Sequence, residues 1–229
     1  MDDAFRRRML AYYDQRAPDY EQAYTHGTGT SSVSDPHVFI AEAESLAAVV
    51  GGFGGGRLVD IACGTGYWLP RYAGRCERIT LVDQSASMLR ECAQKVAALG
   101  IADRCEILRG DVLDVEFRTR AYDRALIGFL ISHLSHEQER RLFDTVRRTL
   151  RPSGRFLILE SAWTHLRARF NEKVVPQQRR LNDGSEFAVF KRYIDRNDIM
   201  QWSATYGVAT RIDYFGSALC AVSGSFEAI

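Results

Sequence analysis

RLVDIACGTGYW, residues 57–68, reads as a buried strand, a tight turn and the start of a helix. Leu58, Val59 and Ile61 make the apolar run, Asp60 is a carboxylate inside it, and Gly64 and Gly66 follow two apart. Glycine there lets the backbone take conformations a side chain forbids and lets a ligand approach closely. The following helix offers free N–H groups to that ligand. A second strand, ERITLVD at 77–83, ends in another acid, Asp83. In open α/β sheets ligands bind beyond the carboxyl ends of such strands, so the stretch implies a nucleotide-type cofactor site.

The charges around the turn narrow the ligand. A dinucleotide site wants G-x-G-x-x-G, whose third glycine packs helix on strand beside an anionic pyrophosphate. The third position here is Leu69. Asp60 would repel a pyrophosphate but suits a ligand carrying ammonium and sulfonium charge. Asp83 stands where a ribose hydroxyl pair is clamped.

VDIACGTG is followed by LVDQSASML at 81–89, GDVLD at 110–114, YDRALIGFLISHL at 122–134 and LRPSGRFLILE at 150–160. In these segments and their order the chain resembles the class I S-adenosylmethionine-dependent methyltransferases. YYDQRAPDY at 12–20 resembles the leading segment of the ubiquinone- and menaquinone-type members. The resemblance implies a Rossmann-like α/β fold, a mostly parallel sheet with an antiparallel C-terminal hairpin and helices on both faces. It implies S-adenosylmethionine as cofactor. Asp60, with the backbone of Ala62, Cys63, Gly64 and Gly66, would then face the methionine portion. Asp83, with Gln84 and Met88 beside it, would face the ribose, and Asp111 and Val112 the adenine. Ile127 and Gly128, with Phe129, would border the methionine part at the end of their strand. Ala62 departs from the family, where many members have glycine.

Length and composition are compatible with one α/β domain: 229 residues, 46% hydrophobic, carry enough apolar side chains for a core. A formal net charge of +1 provides no long-range field toward nucleic acid or an anionic membrane. The short basic clusters at 6–8, 140–141, 147–148 and 179–180 read as solvated faces. The odd number of cysteines, without a C-x-x-C pair, fits a reduced, cytoplasmic protein. No leader-like apolar segment follows MDDAFRRR, and Ala125 to Ile131 is too short to span a bilayer.

Phe5, Met9, Tyr12 and Tyr13 fall at helical spacing in 3–16 and predict an amphipathic helix. Residues 23–34, rich in glycine, threonine and serine, predict a mobile connection, and Asp35-Pro36 the start of a second helix closed by the glycines at 51–56. Strands are expected at 57–61, 78–83, 105–109, 122–128 and 155–160, with helices near 67–74, at 86–98 and at 136–150, the last capped by Ser135 and Gln138. A final helix at 195–206 precedes a hairpin of strands 208–215 and 217–223 around Gly216. The chain thus divides into a helical cover at 1–54, a cofactor-binding core at 55–160, an insertion at 161–194 and a closing helix and hairpin at 195–229. The insertion is long for an α/β connection and holds an Asn182-Asp183-Gly184 turn, so it is read as a substrate cover.

Methyl transfer from a sulfonium is an in-line displacement, and positioning with exclusion of water supplies most of its catalysis. His133 follows a strand that ends at the ligand edge. It reads either as a general base for a hydroxyl or ammonium acceptor near neutral pH, or as a structural histidine bonded to a loop carbonyl. Tyr13 and Tyr20 are candidates for cofactor contact and Tyr24 for the acceptor, against plain packing of the helix. Phe129, Glu160 and Trp163 are candidates for lining the acceptor pocket, with interior packing the alternative for Trp163. No G-x-S-x-G elbow and no G-x-x-x-x-G-K-[ST] loop occurs, and His136-Glu137 lacks the second histidine of a zinc-protease helix. No metal is expected. The reading is a methyltransferase acting on a small organic acceptor, at oxygen first, with nitrogen or carbon as alternatives. The different-class alternative is a repurposed cofactor-binding protein such as a cyclase or partner subunit.

Overall fold

A computed structural model describes residues 3–27, 36–169 and 172–227. The N-terminal part carries α1 (Asp3–Arg16), α2 (Gln22–Thr25) and α3 (Pro36–Phe53). The core follows with β1 (Gly56–Ile61), α4 (Leu69–Tyr72), β2 (Cys76–Asp83), α5 (Ala86–Ala98), β3 (Cys105–Arg109), β4 (Tyr122–Gly128), α6 (His136–Thr149) and β5 (Leu150–Ser161). Then come α7 (His165–Ala168), β6 (Val174–Arg180), β7 (Glu186–Arg192), α8 (Arg196–Tyr206), β8 (Val208–Phe215) and β9 (Leu219–Phe226).

Seven strands form one sheet in the order β3-β2-β1-β4-β5-β9-β8. All pairs are parallel except those of β9, which runs antiparallel to β5 and β8. Strand alternation divides the core into two layers. Leu58, Leu81, Leu126 and Leu157 pack with α3, α4 and α5 on one face, while Val59, Ile61, Ile127 and Ile158 pack with α6 and α8 on the other. The chain leaves β1 for one side and β4 for the other, so the sheet's switch point opens a crevice beyond their ends.

Several boundaries differ from expectation. Gly51 and Gly52 lie inside α3, which ends only at Phe53. β5 begins at Leu150 and reaches its partner β4 through a shifted register. The stretch expected to be a mobile connection is helical at 22–25, with Ala23 and Tyr24 buried. Residues 28–35, with the Asp35 start, lie outside the described residues. The capping box is present, Ser135 accepting from the Gln138 amide and Gln138 from that of Ser135. The insertion forms the β6–β7 hairpin, whose Val189 packs on Met9 and Tyr12 of α1.

Candidate functional site

The turn after β1 is a run of left-handed residues: Ala62 at φ 59°, Gly64 at 55° and Gly66 at 73°. Ala62 carries a steric cost there that glycine would not. At Gly66 a Cβ would stand 2.9 Å from the Cys92 sulfur on α5, so helix and turn touch through the missing side chain. The Gly64 amide donates to Asp83 Oδ2 at 3.0 Å and the Ser85 amide to Oδ1 at 2.9 Å, fastening the ends of β1 and β2 together. Burial raises the Asp83 pKa against these bonds.

Beyond these strand ends lies a cleft with an empty volume, mouth included, of about 990 Å³. Ala62, Gly64, Asp83, Gln84 and Met88 line one part, and Asp111, Val112 and Gly128 another. Tyr13 and Tyr20 close it from above. Asp60, Cys63, Gly66 and Ile127 do not line it. Asp60 is 3% exposed and its Oδ2 accepts the Tyr72 hydroxyl at 2.6 Å, below the turn. Burial, opposed by that hydroxyl and helped by the neighbouring Asp83, raises Asp60 to a pKa of about 7. Cys63, in the turn, and Ile127, near the end of β4, are buried in the two core layers.

A second cavity, about 650 Å³ with its mouth, adjoins the first. Tyr24 lines it, and Tyr13, Tyr20, Phe129 and His133 line both. Phe129 takes a left-handed φ of 55°, a strained conformation for a bulky residue, held by its amide bond to the Leu159 carbonyl at 2.8 Å. Glu160 and Trp163 line neither cavity. Glu160 is fully buried and accepts the Ser132 and Ser161 amides, so it builds the segment after β4 rather than facing a ligand. The Trp163 ring stacks on Tyr193, 5.9 Å between centroids.

His133 Nδ1 lies 2.6 Å from the Phe190 carbonyl, which only accepts, so Nδ1 carries the proton. The Nε2 lone pair then accepts the Tyr13 hydroxyl at 2.7 Å. Burial, with Lys191 nearby, holds the His133 pKa well below its usual value. Burial likewise raises Tyr13, so both groups are neutral near pH 7.

Sequence reasoning missed the residues that tie α1 and its extension down. Arg6 pairs with Asp111, which also accepts the Leu113 amide. Asp14 accepts the Ser85 hydroxyl at 2.6 Å and the Ser87 amide at 3.2 Å, and Glu21 accepts Thr65 and pairs with Lys95. Of the basic pair read as a solvated face at 179–180, Arg180 is exposed as expected but Arg179 is not. Arg179 is half-buried on β6 and lines the second cavity, as does Lys191 from β7. The period-two pattern Val189-x-Lys191 carried that signal.

Such a crevice, an acid-ended β2 and a left-handed turn under a cleft of this order of volume define a class of proteins that bind nucleoside cofactors. Residues 58–154 match the model of a methyltransferase domain family. The ubiquinone/menaquinone biosynthesis C-methyltransferase UbiE of Paracoccus denitrificans is 32% identical over 137 residues, 59% of this chain and 50% of that one. A demethylmenaquinone methyltransferase of Lactiplantibacillus plantarum is 30% identical over 108 residues, 46% of this chain and 45% of that one. The chain thus matches about half the length of these curated relatives. A DhpI–SAM–HEP complex superposes with TM-score 0.77 at 21% identity, covering 98% of this chain and 99% of that one, a likeness of fold. Over residues 58–154 the chain is thus similar to a methyltransferase domain family.

S-adenosylmethionine fits the first cleft. Asp83 has lone pairs to spare for ribose hydroxyls, Met88, Val112 and Leu113 offer apolar walls to an adenine, and small residues at 62, 64 and 128 leave room for the methionine portion. Asp60 would act on its charge from beneath the turn. Among the described residues no three metal-ligating side chains cluster, and no helix is long and apolar enough to cross a membrane.

Proposed function

We propose that this chain transfers a methyl group from S-adenosylmethionine to an oxygen of a small organic acceptor. The supporting observation is the pair of cavities that share a wall of Tyr13, Tyr20, Phe129 and His133. The bound cofactor supplies an electrophilic methyl on a sulfonium. The protein holds the acceptor across that wall and keeps water out, which leaves positioning as the main catalytic effect. His133 is the base: its Nε2 takes the proton of an acceptor hydroxyl that replaces Tyr13 as its partner. Carbon as the accepting atom is the second reading, favoured by the names of the curated relatives. The small size of the second cavity, about 650 Å³ with its mouth, supports a metabolite as acceptor, and the five unpaired thiols support a reducing, cytoplasmic location.

Incubation with S-adenosylmethionine and a set of small hydroxylated acceptors is expected to yield S-adenosylhomocysteine and an O-methylated product. Tight cofactor binding without product from any acceptor would sink the enzymatic reading and favour the repurposed one.

The proposed division into an N-terminal cover, core and insertion has its own test. Contacts of Arg6 with Asp111, of Asp14 with Ser85 and Ser87, and of Glu21 with Thr65 and Lys95 hold residues 6–21 against the core, and pairs of this kind are weak where solvent reaches them. Hydrogen exchange across 10–27 is expected to slow when S-adenosylhomocysteine and an acceptor analogue are both bound. Unchanged exchange with both ligands seated rejects the cover.

A further inference from the structure

Two neighbouring residues of β7 grip two neighbouring residues of the segment after β4. The Phe190 carbonyl accepts from His133 Nδ1 at 2.6 Å, and the Lys191 ammonium donates to the Ser132 hydroxyl at 2.7 Å. The first contact fixes the imidazole tautomer. The second sets a cation beside that imidazole, and after burial it is the strongest influence holding the His133 pKa down. Lys191 is 6% exposed, yet it lines the second cavity together with His133, Tyr13 and Phe129. An ammonium has three N–H donors, and among the described residues Ser132 is the one hydrogen-bond acceptor that this ammonium engages. Glu160 attracts it from beyond ion-pair distance, its two oxygens held by the Ser132 and Ser161 amides. Ser132 is fully buried and lines neither cavity, so a ligand meets the ammonium and not the hydroxyl.

Resting on the methyl-transfer reading, we propose that Lys191 is a second catalytic residue, whose ammonium donates to the accepting oxygen itself and stabilises the negative charge that oxygen develops. Preorganised donors aimed at developing charge are most effective where water is excluded. The proton of the acceptor hydroxyl passes to His133 Nε2, and Lys191 keeps its own. The oxygen pair so freed forms the bond to the methyl carbon, while the carbon–sulfur pair leaves with the sulfur. His133 is then an imidazolium beside an ammonium, a like-charge pair that favours release of the proton to solvent and restores the neutral base. Burial, opposed by Glu160 and helped by Arg179, Arg167 and Arg16, brings the Lys191 pKa down to about 8, so the group is still an ammonium at pH 7.

The probe is 4-nitrophenol, whose ionisation is read from its absorbance and whose ring suits a cavity walled by Tyr13, Tyr20, Tyr24 and Phe129. It is titrated on the full chain loaded with S-adenosylhomocysteine, below about pH 8, where Lys191 holds its charge. Lys191→Met is expected to raise the pKa of the bound phenol by roughly one unit or more, the scale for removing an adjacent opposite charge, and Lys191→Arg to restore most of the difference. A role confined to packing on Ser132 would lower the melting temperature of Lys191→Met and leave the ionisation of the bound phenol unchanged. Should that variant not fold, Lys191→Gln, which keeps a donor for Ser132 without the charge, carries the same expectation. Absence of phenol binding to the wild-type complex overturns the proposal. So does an unchanged bound pKa in a variant whose melting curve and S-adenosylhomocysteine affinity show it to be folded. Failure of the wild type to bind S-adenosylhomocysteine removes the methyl-transfer reading, and this assignment with it.

Discussion

Replacing His133 by alanine or asparagine is expected to lower kcat about a hundredfold or more, the range for a positioned general base, with a much smaller change in cofactor affinity. The geometry sets this expectation: the Phe190 carbonyl accepts a hydrogen bond from Nδ1–H, which leaves the Nε2 lone pair at the wall between the cavities. Asparagine keeps a polar group but no basicity, so both variants should fall together. The pH profile makes the test sharper. With its pKa held well below 6.5, the folded imidazole is already neutral at pH 7, and the acid limb of wild-type turnover is expected below pH 6.5 rather than at neutrality. Stability follows the same sign. Below about pH 6.5 the unfolded chain gains a proton at His133 that the folded chain refuses, so this residue's contribution is complete above that value and is lost as pH falls. Wild-type turnover in both variants, under conditions where chemistry limits the rate, would mean that His133 only anchors Tyr13 and β7 and that the acceptor oxygen arrives already ionised.

Loss of the Asp83 carboxylate is expected to weaken S-adenosylmethionine binding by roughly 2 to 4 kcal/mol, about thirtyfold to several hundredfold, the scale for two charged hydrogen bonds to a ribose. The structure adds a complication, because the same oxygens fasten the Gly64 and Ser85 amides. Asp83→Ala therefore loosens the turn as well as removing the clamp, and its melting temperature should fall. Asp83→Asn keeps one carbonyl acceptor and so separates the two effects. It should melt closer to wild type yet still bind the cofactor at least tenfold more weakly, one charged hydrogen bond having been lost. Calorimetric affinity equal to wild type in a folded Asp83→Ala would remove the residue from the site.

Much of the core was legible because its signals are local. The apolar runs at 58–61 and 79–82, the Ser135–Gln138 cap and the alternation of strand and helix each fit within a few residues, and the structure places them as read. The residues read as cofactor contacts sit on the cleft wall wherever a strand end presents them to it, as at Asp83 and Asp111. Asp60 and Glu160 were legible as acids near the site but not as buried ones, since their partners, Tyr72 and the Ser132 amide, are fixed only by packing. The charge of the second cavity was the least legible. Net charge averages over the chain, whereas Arg16 and Lys191 meet across 175 residues of sequence because α1 lies on β7.

The two cavities differ in where their walls come from. Most of the first is strand ends and turns of the span 58–154 shared with known methyltransferases, whereas the second takes only Phe129 and His133 from it and draws the rest from residues 12–39 and 161–191. On the proposed function, cofactor and acceptor recognition would therefore rest on largely different parts of the chain, with Tyr13, Tyr20, Phe129 and His133 common to both. Substitutions at outer positions that line only the second cavity, such as Arg179 and Val189, would then change acceptor preference without touching the turn after β1, whereas Tyr13 and Tyr20 also face the first cleft. On the same reading, a core shared with known methyltransferases would constrain what the protein consumes more than what it modifies.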